Sequence, residues 1–305
     1  MNERPLANYS VNLSISESDD SVKRGFPEWQ VNRVTLQVTT SLFGQGASLV
    51  FGHDWREDGV MQAIHAFAMQ IQPPVPLPPA EARAGGHPLL KNILPWPDKP
   101  VLSREDLERL ASTLRVEEAG LPAELVRYES DGGALATSHP LYRYLRARGL
   151  THLRRRLNAE SRARLSIGGR TEGAAGRYPG VVEEALLAVQ EGKPLFLAGL
   201  LGGAARLVIT AIEGQDMPED FCRPGLIDEL FQKPPIVETD RQTETDRLSD
   251  RRSVWLTFQE TGIAGLSETN HLTAEENREL FHTPVLDRVV ALVLTGLSRI
   301  PRLGN

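Results

Sequence analysis

Residues 168–184 read GGRTEGAAGRYPGVVEE, a glycine-rich run carrying two arginines and closing on a pair of glutamates. Glycine admits a backbone close to a ligand, and arginine adds charge-assisted bonds to phosphate. A carboxylate here accepts ribose hydroxyls or serves as a general base. The plainer alternative is a tight turn with solvated arginines. Glu183 and Glu184 also fall in the first turn of the helix predicted to start at Gly180, where either carboxylate complements the helix dipole. The sequence alone leaves open which of the two points inward.

Three other loops carry similar residues. Ser14 to Ser16 run into the acidic ESDD, and Gly52 is followed by His53, Asp54, Trp55 and Arg56. Ala198 and Gly199 lead through Leu200 and Leu201 to Gly202 and Gly203. Each loop follows a predicted strand, so parallel strands bring all four to one rim of the sheet, where such folds bind ligands. The ligand-binding candidates are Ser16, Gly52, Asp54, Arg56, Gly168, Gly169, Arg170, Arg177, Pro179, Gly180, Glu183, Gly202 and Gly203. Helices beginning at Gly180 and Gly203 are expected to aim unpaired N–H groups at an anion. The basic run 153–164 contains Arg154, Arg155, Arg156, Arg162 and Arg164. It reads as a solvated helix face from which one arginine reaches the ligand.

Several chemistries are disfavoured. The seven histidines form no HExxH pattern, and Cys222 is the only cysteine, so neither a metal site nor a cofactor is expected. GxSxG, Walker A and GxGxxG patterns are absent. The net charge of −6 argues against a general nucleic-acid binder. A lone cysteine and an N-terminus without an apolar core point to the cytoplasm. No run of about 18 apolar residues occurs, so a membrane span is not expected.

The elements that must position these loops follow from periodicity. VNLSIS alternates as a strand, and Val31, Val34, Val38 and Leu42 recur at helical spacing before Gly44 and Gly46. SLVFG is a second strand, followed by a helix carrying Ile64, Phe67, Ala68 and Ile71, and LLKNIL is a third strand. Residues 103–160 read mostly as helices. ARLSIGG, PGVVEEALLAVQEG, KPLFLAG and GGAARLVITAIEG then alternate strand and helix. This predicts a doubly wound, Rossmann-like α/β sheet. The expected organisation is a domain over 1–232, a charged loop or linker over 233–252, and a helical extension over 253–305 packed on the domain.

These residues resemble the SLOG superfamily, Rossmann-like domains that include the Lonely Guy phosphoribohydrolases and the DNA processing protein A. The hydrolases carry PGGxGTxxE after a strand and an arginine on the preceding helix. In the best register Gly180 stands for the later glycine, Val181 for the threonine and Glu184 for the ribose-contacting glutamate. The loop is longer here, and Arg154 and Arg155 compete for the upstream arginine. VFGHDWREDGV, LRRRLNAESRARLSIGGRTEG and GRYPGVVEEALLAVQEGKPLFLAGLLGGAARLV are similar to a bacterial branch associated with conflict systems. His53, Leu200 and Leu201 depart from that branch's usual residues. The resemblance implies a sensor of a nucleotide, cyclic nucleotide or ADP-ribose-type ligand, working with an effector protein or as a homo-oligomer. The alternative it implies is a phosphoribohydrolase or NAD-type N-glycosidase, with Glu184 and Arg154 as its catalytic residues.

Overall fold

The computed structural model describes residues 5–7, 9–52, 60–71, 88–223, 226–236 and 250–301. His53, Asp54, Arg56 and residues 237–249 of the charged segment lie outside them. From β1 (Ser10–Ser16) the chain passes through α1 (Glu28–Gly44), β2 (Ser48–Phe51), α2 (Val60–Ile71) and β3 (Leu90–Pro95). There follow α3 (Arg104–Leu110), β4 (Leu114–Gly120), a 3-10 turn at Ala123–Tyr128, α4 (Glu129–Gly133) and the long α5 (Pro140–Glu160). The alternation resumes with β5 (Ala163–Gly168), α6 (Gly180–Gln190), β6 (Leu195–Ala198) and α7 (Gly203–Ile212). The chain continues through α8 (Glu219–Cys222), α9 (Leu226–Gln232), α10 (Arg251–Asn270), α11 (Ala274–His282) and α12 (Leu286–Arg299).

Among the described residues six strands pair in parallel, in the order β4-β3-β2-β1-β5-β6. The fold is the expected Rossmann-like α/β sheet. The chain builds outward from β1 to β4, then crosses back to add β5 and β6 on the other side of β1. That reversal puts the topological switch point between β1 and β5, where Ser16 pairs with Gly168 at the strand ends.

Period-two alternation sorts the two faces. Val11, Leu13, Ile15, Ala163, Leu165 and Ile167 join one core with Val31, Val34, Val38 and Leu42 of α1 and Leu292, Val293 and Leu297 of α12. Burying each of these valine, leucine and isoleucine side chains contributes about 1.5–3 kcal/mol relative to exposure. On the opposite face Leu195 and Leu197 pack with α6, α7, and Trp255 and Phe258 of α10. The C-terminal helices therefore contribute to both layers. At the centre of this second face the strands present polar residues instead, with Asn12 paired to Arg164 and Ser14 to Ser166.

One element departs from the expectation of a mostly helical 103–160 region. Residues 114–120 form β4, a strand on the edge of the sheet, half-exposed along most of its length. Its Glu117 pairs with Lys91 at 3.0 Å and its Glu118 with Lys99 at 2.5 Å. Charged side chains at an edge also discourage pairing with another chain.

Candidate functional site

The rim at the switch point is built from close backbone contacts. Gly169 N–H donates to the Ser16 carbonyl at 3.2 Å, and the Gly169 carbonyl accepts from Ala204 N–H at 2.8 Å. A Cβ on Gly168 would lie 2.2 Å from the Ser16 oxygen, and one on Gly203 would lie 2.2 Å from the Gly169 oxygen. Both glycines hold positive φ, 75° and 58°. Ser16, Gly168, Gly169, Gly202 and Gly203 thus form one contiguous patch. Gly169 extends it to α6, since its Cβ would meet Val181 at 2.6 Å. Gly52 stands apart from the patch, against Leu153 and Leu157 of α5.

The second half of the site lies between α5 and α6. Arg154, not Arg155, is the buried arginine: it is 8% exposed and its Nη1 donates to Glu183 Oε2 at 2.5 Å. Glu183 is wholly enclosed and accepts a second bond from the Thr151 hydroxyl. A Cβ at Gly180 would come within 3.0 Å of Arg154 Nη2, and one at Gly176 within 2.9 Å of Nη1. The absence of side chains at these two positions is what admits the guanidinium to the start of α6. The N-cap residue of that helix is the buried Pro179, which has no side-chain acceptor to cap it.

Glu184 points the other way, into the sheet. It accepts from the Ser14 hydroxyl and from Arg164 Nη1, the latter at 2.9 Å, and its Oε1 lies 3.8 Å from Arg154 Nε. Arg164 is fully buried in β5, and burial pulls its pKa below the ordinary value while Glu184 acts in the opposite direction. Two arginines and two glutamates therefore alternate here and cancel in formal charge. The N-terminus of α6 and the exposed Arg170 add positive charge beyond that cluster.

Two expected contributors are engaged elsewhere. Arg177 turns away from the rim: its Nε reaches Asp228 of α9 at 3.3 Å, and its guanidinium lies over the ring of Phe231. The start of α7 is not open to an anion. Gly203 N–H donates to Asp20 Oδ1 at 2.9 Å, so a carboxylate of this chain fills that place. Asp54 and Arg56 fall outside the described residues. Thr151 of α5 was not expected at the site, whereas Ser14 lies in one of the four expected loops and Arg164 in the basic run expected to send one arginine to the ligand. The signal for Ser14 and Arg164 lay in the matched parity of VNLSIS and ARLSIG, which sets polar residues on one face of adjacent buried strands.

A family model described as SLOG cluster2 matches residues 5–280. The chain belongs to the SLOG superfamily. The match runs from before β1 through most of α11, so it includes the sheet, the rim and the first C-terminal helices. No curated protein and no solved structure matches the chain. SLOG membership associates it with binding or processing of nucleotide-related ligands. Val181 packs against Gly169 and brings no hydroxyl to the rim. Leu200 and Leu201, just before Gly202, are buried in the core, and Leu201 lies against Gly168. Among the described residues no helix is long and apolar enough to cross a membrane, and no cluster of three or more His, Cys, Asp or Glu could hold a metal.

Proposed function

We propose that this SLOG protein binds a nucleotide-derived ligand at the β1/β5 switch point and is the sensing component of a bacterial defence or signalling system. One observation carries the reading: the N-terminus of α6, whose N-cap Pro179 supplies no capping acceptor, lies beside the nearly buried Arg154, at the rim made by Ser16, Gly168 and Gly169. A helix N-terminus flanked by an arginine favours phosphate. The glycines let it approach the backbone, and the remaining face of Glu184 suits a ribose hydroxyl. An effector protein, or a second copy of the chain, is the expected recipient of the signal, in the cytoplasm.

The test is equilibrium titration with nucleotides, cyclic dinucleotides and ADP-ribose, together with mass spectrometry of any small molecule that copurifies. Binding in the micromolar range that weakens in Arg154→Lys is expected, because lysine keeps a charge against Glu183 but lacks the guanidinium fork. Absence of binding at millimolar ligand overturns the reading.

The 3.8 Å approach of Arg154 to Glu184 favours one alternative, N-glycosidic cleavage, in which Glu184 stabilises a cationic ribosyl centre. Release of base from AMP or NAD, lost in Glu184→Gln, would establish it. No turnover at high enzyme concentration leaves binding alone.

A further inference from the structure

We infer that Asp20, with Asp19 beside it, restricts this site to ligands that present a single phosphate rather than a diphosphate. The inference rests on the reading of the rim as a nucleotide site and specifies what that site accepts.

Two helix N-termini meet at the rim. Those of α6 and α7 adjoin through Gly169, which touches both Val181 and Ala204. With one phosphate at α6 beside Arg154, the next phosphate of a diphosphate has α7 as its nearest group of backbone donors. The first two of those donors are already used, Ala204 N–H by the Gly169 carbonyl and Gly203 N–H by Asp20. Asp20 Oδ1 accepts from Gly203 N–H at 2.9 Å and from the Ser18 hydroxyl at 2.8 Å, while Oδ2 accepts from Arg24 Nε at 2.8 Å. Asp19 Oδ2 takes the backbone N–H of Thr171, in the glycine loop, at 2.8 Å. The two carboxylates of the β1–α1 loop therefore hold backbone donors that a phosphate oxygen would otherwise use.

The seat for Asp20 is built rather than incidental. A Cβ on Gly202 would lie 2.4 Å from each Asp20 oxygen and 2.5 Å from Arg24 Nε. Glycine at 202 is what lets a carboxylate from a distant loop occupy the start of α7. Burial opposes ionisation of Asp20, but hydrogen bonds from Arg24, Ser18 and Gly203 outweigh it, and its carboxyl lies below the ordinary value. Arg24 pairs with the far oxygen, and the near oxygen, held on Gly203 N–H, opposes a second phosphate at the start of α7 and leaves the α6 seat to the first. Had Asp20 only stabilised α7, its removal would shift the affinities of one-phosphate and two-phosphate ligands alike.

The deciding experiment compares matched mono- and diphosphates of adenosine, guanosine, cytidine and uridine by calorimetric titration of the full chain. Wild type, Asp20→Asn and Asp19→Asn are measured. Asparagine keeps an oxygen acceptor for Gly203 while removing the charge and, with it, the oxygen that pairs with Arg24. Wild type should bind the monophosphate about tenfold or more tightly than its diphosphate. Asp20→Asn should close that gap by raising diphosphate affinity while monophosphate affinity stays within about threefold. Equal wild-type affinities overturn the inference and leave the nucleotide site standing, as does an Asp20→Asn change that is equal for both ligands. No binding of any nucleotide overturns both. Should Asp20→Asn fail to fold, the wild-type ratio and its narrowing in Asp19→Asn decide the question.

Discussion

Arg164 donates to Glu184 at 2.9 Å from a position wholly enclosed between β5 and α6, whereas Glu184 retains a small exposed edge and a second cation, Arg154, at 3.8 Å. The pair is therefore asymmetric. Without Arg164, Glu184 still has Arg154 and water, but without the Glu184 charge, Arg164 keeps an uncompensated buried cation. Glu184→Gln should destabilise the protein by about 3 kcal/mol, and Arg164→Met by clearly less. The double change Arg164→Met with Glu184→Leu should recover most of the loss. Urea denaturation of the four proteins checks the order, and equal losses for the two single variants would refute it.

Asp228 ties the glycine loop to the C-terminal helices. It receives Arg177 Nε at 3.3 Å and Arg251 Nη2 at 2.9 Å, and the same Arg251 atom donates to the Arg177 carbonyl at 3.0 Å. Asp228 is 4% exposed, so the two guanidinium groups depend on a carboxylate that solvent scarcely screens. Asp228→Asn should cost about 3 kcal/mol and release the segment between Gly173 and Gly180. Hydrogen exchange is the direct readout. Faster exchange confined to that segment and to α9 and α10 is expected, and unchanged protection there would show that the clamp does not hold the loop.

The alternation of strands and helices was legible because each glycine run follows a buried strand and precedes an apolar helix. The starts of α6 at Gly180 and α7 at Gly203 were readable on the same grounds. β4 was not, because LRVEEAG is an edge strand whose acidic residues meet Lys91, Lys99 and Arg156, so its alternation carries no clear apolar face. The occupant of α7 was hidden for another reason. Asp20 and Gly203 lie 183 positions apart, and only the fold brings them together. Arg164 looked like the end of a solvated basic run, although its strand partners Asn12 and Ser14 share its face. A polar layer inside a parallel sheet runs against the usual apolar expectation, which makes such matched polar positions informative.

Glycines of the rim and of the loop should respond differently to alanine. Gly203 has φ 58°, and a Cβ there would meet the Gly169 oxygen at 2.2 Å and Ser18 Cβ at 2.3 Å. Gly173 has a similar φ of 65°, with nothing within 4 Å of its Cβ position. Gly203→Ala must move backbone and should cost about 3 kcal/mol or more. Gly173→Ala carries only the left-handed penalty, about 1 kcal/mol. Thermal melts of both variants measure the contrast, and comparable losses would mean that the rim can relax around a methyl group.

His65 supplies a pH dependence of predictable sign. It is 7% exposed on α2, and burial first, then the charge of Arg109, lowers its pKa from the ordinary 6.5. The native state thus binds fewer protons at this residue than the unfolded chain does. Its contribution is fully present above the unfolded pKa and is lost as pH falls through the depressed folded value. His65→Phe has no proton to bind in either state, so the variant should gain on wild type as the medium is acidified. Denaturation at about pH 7.5 and about pH 5.5 should show the wild-type stability falling more steeply than that of the variant. A difference constant across that window would mean that His65 takes up its proton as readily in the folded protein as in the unfolded chain.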